Sequence, residues 1–189
     1  MLQGAPIRLL DIRQFPHLPL VEEKADSFYA NAVRKAVKTS ECVPFGVLAD
    51  DSGLCVRALN GGPGVRSARY ARSEVGPKVK GDCLDKANVA KLLKALAGVP
   101  PSKRQARYVC VLALAQKGRL LRTFYGSCLG TIAQIPKGSH GFGYDPVFIP
   151  KGFRRTMAEL SHKTKHRISH RGRALRKMRD WLNRSFSSN

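Results

Sequence analysis

Hydrophobic positions change their period along the chain, and the changes divide it into elements. Phe28, Ala32 and Ala36 recur every fourth residue beside Tyr29, Val33 and Val37, while Arg34, Lys35 and Lys38 fall on the other side. That spacing predicts an amphipathic helix, with Asp26 or Ser27 as its cap. Before it lie a short apolar run, Ile7 to Leu10, read as a strand, and a proline-marked loop through Pro16 and Pro19. A second helix is predicted from Val89, Leu92, Leu93 and Leu96, capped by Asp82 and ended by Gly98, Val99, Pro100 and Pro101. From Ala106 to Ile135 the pattern becomes that of strands. Tyr108 to Ala115 is nearly continuous in apolar residues, Gln116, Lys117 and Gly118 make a turn, and Leu120 to Tyr125 returns. Gly126 and Gly130 then punctuate a third strand through Ile132. An antiparallel meander is the simplest arrangement. A last helix carries Ala174, Leu175, Met178, Trp181 and Leu182 on its apolar side, and Ser185 to Asn189 read as a frayed tail.

The stretch from Phe45 to Tyr70, FGVLADDSGLCVRALNGGPGVRSARY, carries the densest chemistry. Val47, Leu48 and Ala49 read as the end of a buried strand, with Asp50, Asp51, Ser52 and Gly53 where it stops. Neighbouring side chains of an extended chain point to opposite faces, so one Asp can face a bound ion while the other anchors the turn. Gly61, Gly62, Pro63 and Gly64 make a second loop whose bare backbone can approach a ligand. The plain alternative is an acidic turn closing a strand, since Asp, Ser and Gly are ordinary turn residues.

Composition narrows the setting. A chain of 189 residues can hold one well-buried domain or two small lobes sharing a core, and no repeat or linker composition separates independent domains. The expected organisation is a single domain over residues 1–184 followed by the tail. Lys and Arg number 34 against 13 Asp and Glu, a formal net charge of +21, which attracts polyanions: triphosphates, RNA or anionic lipid. Five cysteines without a C-x-x-C pair argue against a disulfide scaffold or zinc ribbon and for reduced thiols in the cytoplasm. No apolar run is long enough to span a bilayer, and residues 1–20 lack the apolar core of a signal peptide.

Two further stretches hold candidate ligand groups. In SHGFGYDPVFIP, Ser139 to Pro150, glycines flank Phe142, and Tyr144 and Asp145 precede a proline, so a purine could stack on Phe142 or Tyr144. A buried aromatic turn is the alternative. In KTKHRISHRGR, Lys163 to Arg173, His170 and Arg171 supply donors near the start of the last helix, where anions and donor-rich contacts are favoured. His162, His166 and His170 stand four apart, but Ile168 and Ser169 favour a break and no H-E-x-x-H glutamate accompanies them, which argues against zinc.

Three motifs in order, ADDSGLCVRALNGGPGVRSARY, GFGYDPVFIP with T-x-AEL at Thr156 to Leu160, and K-x-x-ISHRGRAL at Lys165 to Leu175, resemble the non-canonical purine nucleoside triphosphate pyrophosphatases. The resemblance runs from about Ile7 to the end. It implies an α/β fold, elongated and two-lobed around a long mixed β-sheet with flanking helices, an active-site cleft between lobes, and a homodimer. It also implies house-cleaning hydrolysis of inosine and xanthosine triphosphates to monophosphate and pyrophosphate with Mg²⁺. By the same resemblance Asp51 is the catalytic base and metal-linked carboxylate, with Ser52 beside it at the substrate. Phe142, Gly143, Tyr144 and Asp145 form the nucleoside loop, and Lys165, His170 and Arg171 read the base.

The sequence departs from the family at the phosphate end. A strand and a Ser/Thr-x-Asn-x-x-Lys loop that cradle the triphosphate have no counterpart before Ile7, so either the reading frame starts late or that segment is lost. Leu20 stands where the aligned loop usually has a metal-binding Glu, and Ala30 replaces the Glu before Asn31. Fewer carboxylates mean weaker Mg²⁺ binding. Together with the +21 charge, this sets a second expectation beside the enzyme: a catalytically impaired homologue that binds nucleotide or RNA through a basic surface.

Overall fold

The computed structural model describes residues 7–186. Its helices and strands, in order, are α1 (Phe28–Ser40), β1 (Val47–Val56), α2 (Arg72–Val75), α3 (Gly81–Ala95), β2 (Gln105–Gln116), β3 (Arg119–Ile132), β4 (Phe148–Pro150), α4 (His162–Ile168) and α5 (His170–Phe186). The expected α/β class holds, with an open antiparallel sheet and flanking helices. The strand order is β1-β2-β3-β4, and of the three-stranded meander expected between Ala106 and Ile135 the β2–β3 hairpin is present. Lys117 (φ 50°) and Gly118 (φ 73°) form the tight turn between β2 and β3, the positive φ pair that matches hairpin twist. Ser27 caps α1 by accepting the Ala30 N–H at 3.1 Å, one of the two caps expected.

Five expectations need correction, the first being the cap of α3: Lys80 occupies the cap position and Asp82 lies inside the first turn. Val47 opens β1 rather than closing a strand, and the acidic stretch lies within it, because the strand continues through Gly53 to Val56. β3 is one strand of 14 residues; its glycines do not break it. Gly130 sits opposite Pro150 in the β3–β4 ladder, where a Cβ would collide with the Ile149 carbonyl and the Phe148 ring. Glycine there permits close backbone approach. Ile7 to Leu10 is irregular. Leu9 and Leu10 are exposed, and only Ile7 packs against a core. An apolar run forms a strand only with a neighbour to complete its hydrogen bonds. Helix α5 extends two residues into the stretch expected to fray, and residues 187–189 lie outside the described residues.

The chain divides into two compact units. One comprises Met1–Asp51, Cys110–Gly126 and Arg171–Asn189. Its core packs Cys110 and Leu112 of β2 and Phe124 of β3 against Ala174, Met178 and Leu182, which recur every fourth residue of α5. The other comprises Ser52–Val109 and Ser127–His170. There Leu54 and Val56 of β1, Val89 and Leu92 of α3, Tyr108 and Phe148 share a core. Arg104 is buried beside it, and its guanidinium donates to the Leu96 and Val99 carbonyls at 2.8 and 2.9 Å. That satisfies carbonyls left over at the C-terminus of α3.

Candidate active site

In the first unit β1 delivers two carboxylates with different fates. The Asp50 carboxylate accepts from Arg171 at 2.8 Å (Nε) and 3.4 Å (Nη2), and Cys110 Sγ lies 3.5 Å away. Asp50 thus anchors a guanidinium rather than a turn. Asp51 Oδ1 accepts from Lys35 Nζ at 3.1 Å. Asp51 Oδ2 is buried and makes no hydrogen bond. Lys35 Nζ also donates to Glu23 Oε1 at 2.7 Å and to the Asp50 carbonyl at 2.6 Å. Asn31, one turn before Lys35 on α1, clasps the Ala25 backbone with both ends of its amide, at 3.0 and 3.2 Å, and so fixes the segment that carries Glu23.

Electrostatics follow from this packing. Burial holds the Asp51 carboxyl above the ordinary carboxylate range; Lys35 works against that shift and Glu23 adds to it. Burial alone would lower the Lys35 ammonium, but Glu23 and Asp51 outweigh it and raise its pKa. Lys35 was expected on the solvent side of its helix, yet its side chain is only 19% exposed. A long amphipathic side chain can bury its stem and aim its charge inward when carboxylates wait there. Sequence reasoning missed both Lys35 and Glu23. The available signal was their charge, in a helix and its leader that precede an acidic strand.

In the second unit the glycine-rich loop is tied at several points. Phe142 N–H donates to Asp145 Oδ2 at 3.1 Å, and Gly143 N–H donates to Asp85 Oδ2 of α3 at 2.7 Å. Lys165 of α4 makes a short ion pair with Asp145 and lies 5.0 Å from the Phe142 ring centroid. Gly141 has φ 93°, and a Cβ there would collide with the Asp145 carboxylate and the Lys165 ammonium. Phe142 is 58% exposed whereas Tyr144 is 3% exposed, so only the first ring is offered to a ligand. Tyr144 serves as an anchor: its hydroxyl donates to the Ser67 carbonyl at 2.9 Å, and burial pushes its phenol up.

His170 is buried at the start of α5. The Tyr108 ring stacks on its imidazole, with centroids 4.6 Å apart and planes 11° apart. The Tyr108 hydroxyl, held protonated by burial and then by Asp145, reaches Asp145 Oδ1 at 3.5 Å. Tyr108 therefore touches both a base-reading candidate and the carboxylate that organises the loop, a role hidden in an apolar strand run. The break between α4 and α5 falls at Ser169 (ψ 155°), as expected. Thr156 and Glu159 of the T-x-AEL motif form a capping box, with Thr156 N–H donating to Glu159 Oε2 at 2.7 Å. That motif is scaffolding. Ser52 is half-buried in β1.

The candidate residues thus fall in both units: Asp51 and Arg171, which bind different partners, in the first, and Ser52, Phe142, Gly143, Tyr144, Asp145, Lys165 and His170 in the second. Among the described residues no three His, Cys, Asp or Glu side chains converge to hold an ion by themselves. The Asp51 oxygen without a partner, with the Glu23 carboxylate on the same lysine, nevertheless suits a hard cation that takes its other ligands from phosphate and water.

A carboxylate with a free buried lone pair and a preformed aromatic loop equip an α/β protein to handle nucleotides. The chain belongs to the Ham1 family, whose model matches residues 1–181. It is 45% identical over 176 residues to a dITP/XTP pyrophosphatase of Oceanobacillus iheyensis, spanning 93% of this chain and 84% of that protein. The Ham1 protein structure from Staphylococcus aureus matches with TM-score 0.80 and 37% identity over 92% of this chain and 85% of that one. That from Coxiella burnetii matches with TM-score 0.79 and 39% identity over 88% and 82%.

Proposed function

We propose that this protein hydrolyses inosine, deoxyinosine and xanthosine triphosphates to the nucleoside monophosphate and pyrophosphate. The observation that carries this reading is the buried, unpartnered Asp51 Oδ2 beside the Lys35 ammonium. Family hydrolases are generally metal-dependent, and we assign Mg²⁺ to Asp51, with Glu23 as a second oxygen donor. When bound, such an ion neutralises phosphate charge and lowers the pKa of a water. Asp51 accepts the proton of the attacking water. Lys35 offsets charge on the phosphate chain, and it holds Asp51 through Oδ1.

Recognition of the base falls to the glycine-rich loop and the start of α5. Phe142 offers a face for stacking, and Ser52, Gly143, Asp145 and Lys165 fix the nucleoside. Donors from His170 and Arg171 meet the 6-oxo acceptor of hypoxanthine or xanthine. Adenine presents an amino group there, and a buried donor left unpaired costs it about 1–3 kcal/mol. We further infer a homodimer working in the cytoplasm, where the free cysteines stay reduced. Among the described residues no helix is long and apolar enough to cross a membrane.

The test is product analysis with inosine triphosphate and Mg²⁺. Equimolar inosine monophosphate and pyrophosphate, formed faster than the corresponding products from adenosine triphosphate, are expected. Release of single phosphate, or equal rates for both purines, would overturn the proposal.

A further inference from the structure

We infer that Asp85, on α3, is a positioning residue for the nucleoside loop, setting how tightly the 6-oxopurine nucleotide is held and not how fast it is cut. The inference rests on the functional reading above. Gly143 follows Phe142, the exposed ring of the loop, and its N–H points to Asp85 Oδ2 at 2.7 Å, across 58 residues of sequence. Gly143 adopts φ 60°, a left-handed conformation that local preferences alone hold poorly.

Distant ties also hold the loop on either side of the ring, His140 N–H to the Ala158 carbonyl and the Tyr144 hydroxyl to the Ser67 carbonyl, but the tie of the ring residue's own N–H is local and shared. Phe142 N–H bonds to Asp145, three residues on, and that carboxylate also takes the Lys165 ammonium. Should nucleotide draw Lys165 away, the Asp145 tie would change with it. Asp85 has no part in that exchange and comes from a helix whose Leu84, Asn88, Val89 and Leu92 are buried. Asn88 accepts the Ala71 N–H at 2.7 Å, which locks the helix to its surroundings one turn beyond Asp85. A rigid helix therefore holds the backbone just after the stacking ring, so the face of Phe142 is set before ligand arrives. A carboxylate accepting a backbone N–H is a strong, charge-assisted tether, and pre-setting a loop lowers the cost of ordering it on binding.

Two variants and two readouts test this. Asp85→Ala removes the acceptor; Asp85→Asn keeps one. Hydrogen–deuterium exchange of the peptide spanning residues 139–147, without nucleotide, should accelerate in Asp85→Ala and stay near wild type in Asp85→Asn. With inosine triphosphate, KM should rise about tenfold in Asp85→Ala while kcat stays within about twofold, and Asp85→Asn should recover most of the loss. Unchanged exchange, or faster exchange with unchanged KM in an active Asp85→Ala enzyme, would overturn the positioning role alone. A drop in kcat with KM unchanged would likewise overturn it. A wild-type protein that releases no pyrophosphate would overturn the functional reading first, and the inference with it.

Discussion

The carboxylate cluster of the first unit and the nucleoside loop of the second solve opposite problems. In the loop, both oxygens of Asp145 are engaged by the protein, and the Gly143 N–H is held by Asp85. Its shape is settled before any ligand arrives. In the carboxylate cluster an oxygen of Asp51 is buried and unbonded, although leaving such a group unsatisfied costs about 1–3 kcal/mol or more. A fold that tolerates such a cost at one atom keeps that atom for something else. The difference teaches that the loop is built to offer a fixed shape and the carboxylates an unspent charge, so, on the proposed function, damage to each should appear in a different kinetic constant.

The largest effect is expected from Asp51→Asn. Losing the proposed base and its negative charge should reduce kcat for inosine triphosphate about a thousandfold, with the protein still folded by circular dichroism. A variant within a factor of about ten of wild type would remove Asp51 from the chemistry. Lys35→Met follows. It should lower kcat about a hundredfold, and because it strands Glu23 and Asp51 it should also cost about 3 kcal/mol in urea unfolding. Full activity with lost stability would make Lys35 a purely structural cation.

Phe142→Ala sharpens the contrast from the other side. Removing the exposed ring proposed to stack on the base should raise KM about tenfold with kcat nearly unchanged and stability unaltered. A fall in kcat alone would mean that loop and carboxylates do not divide the work as described. The smallest effect concerns pH. Burial raises the Asp51 pKa above 3.8, so above that pH the folded protein retains a proton that the unfolded chain has released. Stability therefore falls as pH rises from 3.8 through the raised value. In chelator, thermal melts of wild type should lose ground to Asp51→Asn across that window. A gap that stays constant or narrows would contradict the burial of the charge.

Much of the fold was legible in the sequence because helical period, turn residues and the β2–β3 hairpin are local signals. What escaped was set by distant partners. Gly130 looks like a strand break until the β4 backbone lies against it. Lys35 follows the polar side of a helical wheel, but carboxylates on a strand and a leader segment recruit it. Tyr144 and Phe142 lie two residues apart in one aromatic loop, and packing into the core together with the Ser67 carbonyl separates anchor from exposed ring. The motifs named the chemistry; they did not say that Asp85, Tyr108 and Glu23 stand behind it.

Asp51 Oδ2, buried and without a hydrogen bond, is the proposed metal ligand. Manganese is a magnetic stand-in for magnesium, and its affinity can be titrated by electron paramagnetic resonance with a non-hydrolysable inosine triphosphate analogue present. Wild type should bind the ion at least about tenfold more tightly than Asp51→Asn, with the analogue bound equally by both when the metal is omitted. Equal manganese affinity in the two proteins would contradict the account.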